Sequence, residues 1–111
     1  MELLETICEV TKEASEILKK GFGTVLDIKT KEGHQNLVTQ YDLASQEAII
    51  NRLKKAFPTH RFLAEEGEVN DLPSDEVLWI IDPLDGTVNF AHGIPNFAIS
   101  IAAAIGNEVI A

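Results

Sequence analysis

The chain has 111 residues, 45% of them hydrophobic, which is the size and composition of one globular domain that buries a core without disulfides or a structural metal. Its 18 acidic and 9 basic side chains give a formal charge of −9, and the absence of a Lys and Arg cluster excludes nucleic acid as the main partner. A lone cysteine, an acidic N-terminus and the lack of an apolar run near the ~20 residues of a membrane span predict a soluble cytoplasmic protein without a membrane partner.

The N-terminal segment predicts a helix, a short strand and a polar flap. Apolar residues recur at steps of three and four until Gly21 and Gly23 end the pattern, which predicts an amphipathic helix. Its expected buried stripe is Leu3, Leu4, Ile7, Cys8, Val10, Ala14, Ile17 and Leu18. Within that stripe, Cys8 is expected to be a packed thiol rather than a nucleophile. A strand over 25–29 and a flap over 29–36 follow.

A second helix is predicted to begin at Asp42. Residues 37–39 lead into this aspartate, which is a good N-cap residue. Pro58 ends the helical pattern because it cannot continue a helix. The buried candidates on this helix are Leu43, Ile50, Leu53 and Phe57.

The remainder of the chain predicts mainly strands. Residues 61–64 predict a short strand, 69–76 a polar surface loop, and the apolar run 77–81, which lacks alternation, a central strand covered on both faces. Another apolar strand covers 97–105, and the hairpin signal at 106–107 starts a returning strand. Because the chain stops a few residues into that strand, we expect a truncated domain, with a short but complete edge strand as the alternative.

Two aspartates directly follow the predicted central strand. Asp82 and Asp85 flank a turn that can point both carboxylates into one volume, at the end of the strand where ligands of open sheets bind. Two such anions repel unless a cation lies between them. Oxygen ligands, including the main-chain carbonyl of Leu84, favour magnesium over zinc.

The residues after this turn predict a phosphate site. Gly86 and Thr87 open a short helical turn whose unpaired amides and positive dipole end can hold an anion. Either Glu65 or Glu66, at the end of another strand, can complete a metal shell and polarise a bound water, and Asp42 is a third acidic site. These are the components of metal-assisted hydrolysis of a phosphate ester.

Each of these elements alone also has an ordinary structural explanation. Aspartates beside Pro and Gly mark turns in many proteins, and Asp42 alone predicts a helix cap. The acidic pair at 65–66 alone predicts a solvated loop. The histidines, which share no metal-binding spacing, are expected on the surface or in loops: His34, His60 and His92. Trp79 is expected in the core rather than at a substrate platform.

Together, however, these residues form a recognisable pattern. Residues 79–90, WIIDPLDGTVNF, closely resemble the central motif of the inositol monophosphatase family, W-x-x-D-P-[IL]-D-G-T-x-N-F. Residues 37–42, LVTQYD, and 62–67, FLAEEG, look like two further elements of that family in the right order. The resemblance implies an α/β (α+β) fold, in which residues 1–111 are the N-terminal metal- and phosphate-binding portion of a layered α-β-α-β-α sandwich.

The resemblance also implies a cofactor, Mg²⁺, in two or three ions. Glu65, Asp82 and the carbonyl of Leu84 would hold the first ion. Asp82 and Asp85 would share the second. The family carries one more metal-binding aspartate in a C-terminal half that begins beyond the end of this chain.

The same resemblance implies the roles in catalysis and phosphate binding. Thr87, together with Glu65, would orient the attacking water, and the amides of Gly86 and Thr87 would hold the phosphate, with Asp85 beside it. Asp42 would lie behind the metal ligands or bind a weaker third metal. Glu66 would support the site.

The implied activity is hydrolysis of inositol 1-phosphate or a similar small polyol phosphate, with lithium inhibition and a homodimer as the full-length state. The run 87–90 favours this branch over bisphosphate nucleotidases and fructose 1,6-bisphosphatases. The alternative of another class is a non-catalytic binding or regulatory protein. Since family members are more than twice as long, the 111 residues alone are expected to have little or no phosphatase activity.

Overall fold

A computed structural model describes residues 2–24, 28–30, 37–64, 76–106 and 108–111. Among the described residues, each helix is followed by two strands along the chain. In chain order they are α1 Leu3–Gly21, β1 Ile28–Thr30, β2 Leu37–Thr39, α2 Gln40–Ala56, β3 Arg61–Ala64, β4 Leu78–Asp85, α3 Thr87–Ala91, β5 Ala98–Ile105 and β6 Glu108–Val109.

The main sheet has the strand order β3-β4-β5-β6. Strand β3 runs parallel to β4, whereas the β4–β5 and β5–β6 pairs are antiparallel. A separate two-stranded antiparallel ribbon joins β1 and β2. The predicted mixed α and β fold is confirmed, as are a strand at 61–64 and a central position for the strand that carries Trp79.

The core lies between the two long helices and one face of the sheet. Helices α1 and α2 pack against each other, and α2 also packs against β4. Their shared cluster of buried residues is Val10, Ala14, Ile49, Leu53, Phe62, Ala64, Trp79, Ile81 and Ala103. Trp79 is fully buried, so its predicted place in the core is confirmed.

Helix α1 buries a face that is rotated relative to the predicted stripe. Its buried residues are Thr6, Val10, Ala14, Leu18 and Gly21. Thr6 can be buried because its hydroxyl donates to the Glu2 carbonyl at 3.0 Å, which satisfies the polar group. Leu4 is 57% exposed and Cys8 is exposed, so the prediction that both belong to the packed stripe is wrong.

Helix α2 begins earlier than predicted. Its N-cap is Thr39, and Asp42 is the third helical residue of a capping box rather than the cap itself. Leu53 is buried as predicted, but Leu43 is 48% exposed. The helix ends at Ala56, before Pro58.

Strand β4 is longer than the predicted run 77–81, because it continues through the aspartates to Asp85. Its pairing with β5 shifts register between Asp82 and Asp85, which lets the chain bend there without leaving the sheet. Ile80 on this strand is 38% exposed, so the expectation that both faces are covered is wrong for the residues described. The predicted segments 25–27, 31–36, 69–75 and Asn107 lie outside the described residues.

Candidate active site

The site begins where β4 meets α3 and where α2 starts. Strand β4 supplies Asp82, Leu84 and Asp85, and the first turn of α2 supplies Asp42. Thr87 is the first residue of α3. The fold thus brings together two segments that the sequence analysis had grouped by the chemistry of their side chains.

Asp42 is the acceptor at the centre of the site. Its Oδ1 accepts from the backbone N–H of Thr39 at 2.8 Å and from the Thr39 hydroxyl at 2.6 Å. Its Oδ2 accepts from the hydroxyl of Thr87 at 2.8 Å. Only 2% of Asp42 is exposed, and an ionised carboxylate, which can only accept, matches the three donors around it.

The hydroxyl of Thr87 lies between Asp42 and the turn that carries Asp82 and Asp85. Besides its contact with Asp42, its oxygen is 3.2 Å from the carbonyl oxygen of Leu84. A hydroxyl has a single proton, and the shorter, charge-assisted bond to the Asp42 carboxylate is the stronger of the two. The lone pairs of Thr87 are then available to accept from another molecule.

The segment that carries the two aspartates is held by a hydrogen bond from its own backbone to one of its carboxylates. The backbone N–H of Leu84 donates to Oδ1 of Asp82 at 3.3 Å. The Leu84 side chain is buried in a second small core with Leu18 and Phe90, which anchors the turn from below. The Asp85 side chain, in contrast, is exposed to solvent.

A buried serine ties this turn to helix α2. The hydroxyl of Ser45 donates to the carbonyl of Pro83 at 2.8 Å, and Ser45 is fully buried. The sequence analysis missed this residue. The available signal was its position three residues after Asp42, since this spacing places both side chains on one face of a helix.

Gly86 connects β4 to α3 with a left-handed backbone conformation, φ 96° and ψ 38°. A Cβ atom at this position would lie 3.0 Å from the carbonyl oxygen of Asn96 and 3.2 Å from Cβ of Phe97. The same carbonyl accepts a hydrogen bond from the side-chain amide of Asn89 at 2.8 Å. Both the conformation and the close approach therefore require glycine here.

The predicted ligands are only partly described. Glu65 and Glu66 lie outside the described residues, and within the parts that are described no three His, Cys, Asp or Glu side chains form a metal-binding group. The donors that are present, the carboxylates of Asp82 and Asp85 and the carbonyl of Leu84, are all oxygens. That donor chemistry fits Mg²⁺, which prefers carboxylate and carbonyl ligands.

A histidine contact at the opposite end of the sheet was also missed. The Nδ1 atom of His60 accepts a hydrogen bond from the indole Nε1 of Trp79 at 2.9 Å. His60 lies in the loop between α2 and β3, as predicted, although it is half-buried, and His92 is exposed as predicted. His34 lies outside the described residues. Burial lowers the pKa of His60 from its ordinary 6.5, and the carboxylate of Glu76 opposes that shift.

None of the helices that the structure describes has both the length and the apolar character that a bilayer crossing requires.

Comparison with known proteins places this geometry in a family. A model of the inositol monophosphatase family matches residues 1–111. The chain is 42% identical over 109 residues to inositol monophosphatase 1 of Solanum lycopersicum, covering 95% of this chain and 39% of that protein. It is 37% identical over 109 residues to a fructose-1,6-bisphosphatase/inositol-1-monophosphatase of Thermotoga maritima, covering 98% of this chain and 41% of that protein.

The fold agrees with a solved structure as well. An IMPase/NADP phosphatase complexed with Mg²⁺ and phosphate superposes with a TM-score of 0.83 at 27% identity, covering 96% of this chain and 40% of that chain. The chain thus spans about 40% of the length of the curated relatives it matches. On the family match along its whole length, the chain belongs to the inositol monophosphatase family.

Proposed function

We propose that this chain is the catalytic portion of a Mg²⁺-dependent phosphatase that hydrolyses a phosphate monoester, with inositol 1-phosphate as the favoured substrate. The observation that carries the proposal is the hydrogen bond from Thr87 to buried Asp42, made beside the turn of Asp82 and Asp85. A fold neighbour solved with Mg²⁺ and phosphate supports the same chemistry.

Metal binding is assigned to four groups of this chain. Asp82, Asp85, the carbonyl of Leu84 and Glu65 would hold the ions, two or three in number. When bound, Mg²⁺ would lower the pKa of a coordinated water and stabilise the leaving oxygen. The hydrogen bond from the N–H of Leu84 to Asp82 holds that carboxylate in position before a metal arrives.

The threonine–aspartate pair orients the nucleophile. Because the Thr87 proton points to Asp42, the Thr87 oxygen presents a lone pair that can accept a hydrogen bond from the attacking water. A proton leaving that water can pass to the Thr87 oxygen while the Thr87 proton moves to Oδ2 of Asp42. Glu65 completes the orientation of the water, and Glu66 supports the site.

The start of α3 holds the phosphate. The amides of Gly86 and Thr87 lie at the positive end of this short helix, where they can donate to an anion. Asp85 directly precedes these amides in the chain, and a metal ion held by it would neutralise charge on the phosphate.

Substrate identity has a second candidate. The Thermotoga maritima relative is named for both fructose-1,6-bisphosphatase and inositol-1-monophosphatase activity. We place fructose 1,6-bisphosphate second for this reason, and a 3'(2'),5'-bisphosphate nucleotide third. A non-catalytic regulatory role is the remaining alternative.

The deciding experiment measures turnover by the native polypeptide that carries this sequence. Inositol 1-phosphate, fructose 1,6-bisphosphate and a 3',5'-bisphosphate nucleotide are compared with Mg²⁺ present and after chelation. Fastest turnover of inositol 1-phosphate, abolished by chelation, supports the proposal. Absence of turnover on all three, together with unchanged function in cells of Asp82→Asn, contradicts catalysis and favours a regulatory role.

The size of the active unit is part of the proposal. We infer that the 111 residues alone have little or no activity, since the relatives are about two and a half times as long, and that the full-length state is a homodimer. Intact mass of the native polypeptide, compared with 12.2 kDa, tests this together with the activity of the purified 111-residue chain. Robust Mg²⁺-dependent turnover by the short chain would refute it.

A further inference from the structure

His60 joins three elements of the fold at the end of the sheet away from the candidate active site. It lies between the end of α2 and the start of β3, and its ring stacks on Phe57 with centroids 4.7 Å apart and planes within 3°. Its Nδ1 atom accepts the hydrogen bond of Trp79 on β4. The imidazole of His60 therefore contacts the residue that follows α2, lies just before β3 in the chain and accepts a hydrogen bond from a residue of β4.

The Trp79 hydrogen bond is required by burial. Trp79 is fully buried, and its indole N–H can only donate. A buried donor without an acceptor costs free energy, because it has lost water without gaining a partner. Trp79 thus depends on the acceptor that His60 provides.

That acceptor exists in only one protonation state of the ring. Nδ1 accepts only when it carries no proton, which means a neutral imidazole with its proton on Nε2. In the imidazolium form both ring nitrogens are donors. Two N–H groups would then face each other across 2.9 Å, and the hydrogen bond would be lost.

Among the described residues, the charged group that acts on the ring is the carboxylate of Glu76, and Arg61 directly follows His60 in the chain. On the segment before β4, the carboxylate of Glu76 accepts from the Thr59 hydroxyl at 3.2 Å and favours the protonated ring. On β3, the guanidinium of Arg61 donates to the Glu76 main-chain carbonyl at 3.4 Å. Just after α2 the packed group is the uncharged Phe57, the C-cap residue of that helix.

Lys54, near the end of α2, lies over the ring of Phe62, 5.7 Å from its centroid, rather than over His60. Burial outweighs Glu76 and lowers the pKa of His60, so the neutral form predominates at neutral pH.

We propose that His60 is a positioning residue, a pH-sensitive clamp that holds Trp79 and hence the β3–β4 pair in place while neutral and releases them when protonated. Phe62 and Trp79 are partners in this parallel pair. Strand β4 leads onward to Asp82, so the clamp sets the position of that carboxylate. The clamp needs no metal, and its test is independent of the proposed phosphatase activity.

The test uses the fluorescence of Trp79, the single tryptophan of the chain. Emission of the 111-residue chain is titrated from pH 8 to pH 5, since a protonated imidazole quenches indole more strongly than a neutral one. Emission is expected to fall with a midpoint below 6.5. His60→Asn keeps an acceptor near the Nδ1 position but does not titrate, and should abolish the transition. His92→Asn, at an exposed histidine, should leave the transition unchanged.

Stability measurements separate the clamp from simple packing. His60→Phe keeps the stacking on Phe57 but leaves Trp79 without an acceptor, so its unfolding constant at pH 8 should rise roughly 5- to 150-fold, which corresponds to about 1–3 kcal/mol. His60→Asn should stay close to the wild-type value. Because the folded-state pKa of His60 is lowered, the wild-type chain should lose stability relative to His60→Asn as the pH falls below 6.5.

Three results would overturn the proposal. One is wild-type emission that does not titrate between pH 5 and 8. Another is a transition that persists in His60→Asn or disappears in His92→Asn. The third is a His60→Phe chain as stable at pH 8 as His60→Asn.

Discussion

The hydroxyl of Thr87 donates to Oδ2 of Asp42 at 2.8 Å although 45 positions separate the two residues. The bond joins the start of α3 to the first turn of α2, and it is made to a carboxylate that is almost fully buried. Hydrogen bonds in such a desolvated place are electrostatically stronger than in water. The orientation of the Thr87 proton is therefore well defined, which is what a residue that positions a nucleophile needs.

Replacing the Thr87 hydroxyl should separate binding from chemistry. Thr87→Val keeps the shape but cannot orient water or pass a proton, so kcat of the native polypeptide should fall about 10²- to 10⁴-fold with a smaller change in KM. Thr87→Ser retains the hydroxyl and is expected to keep most of the activity. Equal kcat values for the valine and serine variants would rule out this role for the hydroxyl.

Asp42→Asn should reduce both activity and stability. The asparagine side chain would place an NH₂ group among the donors of Thr39 and Thr87. Two hydrogen-bond donors would then face each other in a buried place. The cost in free energy of unfolding is expected to be about 1–3 kcal/mol. Chemical denaturation measures it, with Glu47→Gln, an exposed acid on the same helix, as the control. A loss as small as that of the control would contradict the buried three-donor arrangement.

Two of the strands were predictable from local signals, whereas β2 was not predicted as a strand and β4 is longer than predicted. The run 61–64 and the hairpin after Gly106 have strong local signals, an apolar stretch of strand length and a turn dipeptide, and both were found at the expected positions. The buried faces of the helices were less predictable, because a polar residue can be buried if its side chain makes a hydrogen bond within the helix. Thr6 does so through the Glu2 carbonyl, and the buried face of α1 shifts away from Leu4 and Cys8 as a result.

The site was predictable as a set of residues but not as a network. The motif at 79–90 identified its aspartates and Thr87, yet the bonds from Thr87 to Asp42 and from Ser45 to Pro83 depend on how α2 packs against β4. Such long-range contacts leave no periodic trace in the sequence. The contact between His60 and Trp79 was missed for the same reason, since it spans 19 positions.

Removing one proposed metal ligand should weaken Mg²⁺ binding more than it changes the fold. The Asp85 side chain is exposed and, among the described residues, makes none of the hydrogen bonds that hold the turn together, so Asp85→Asn should leave stability nearly unchanged. The Mg²⁺ concentration for half-maximal activity of the native polypeptide should rise at least about tenfold. Glu108→Gln, an exposed acid on β6, is the control. An unchanged Mg²⁺ requirement would remove Asp85 from the ligand set.

Two left-handed glycines offer a matched test of why position 86 has no side chain. Gly86 and Gly93 have φ values of 96° and 72°, but only at Gly86 would a Cβ atom meet a neighbour, the Asn96 carbonyl at 3.0 Å. Gly93→Ala should therefore cost only the backbone strain of a left-handed residue, about 1–2 kcal/mol. Gly86→Ala adds the displacement of the Asn96 backbone that Asn89 holds, so its loss should be larger by about 1–3 kcal/mol.

Chemical denaturation of the two variants measures this difference directly. A second variant, Asn89→Ala, frees the Asn96 carbonyl, so combining it with Gly86→Ala should cost less than the sum of the two single losses. Additive losses would mean that the contact with Asn96 does not limit the space at position 86. Equal losses for Gly86→Ala and Gly93→Ala would mean that backbone conformation alone selects glycine there.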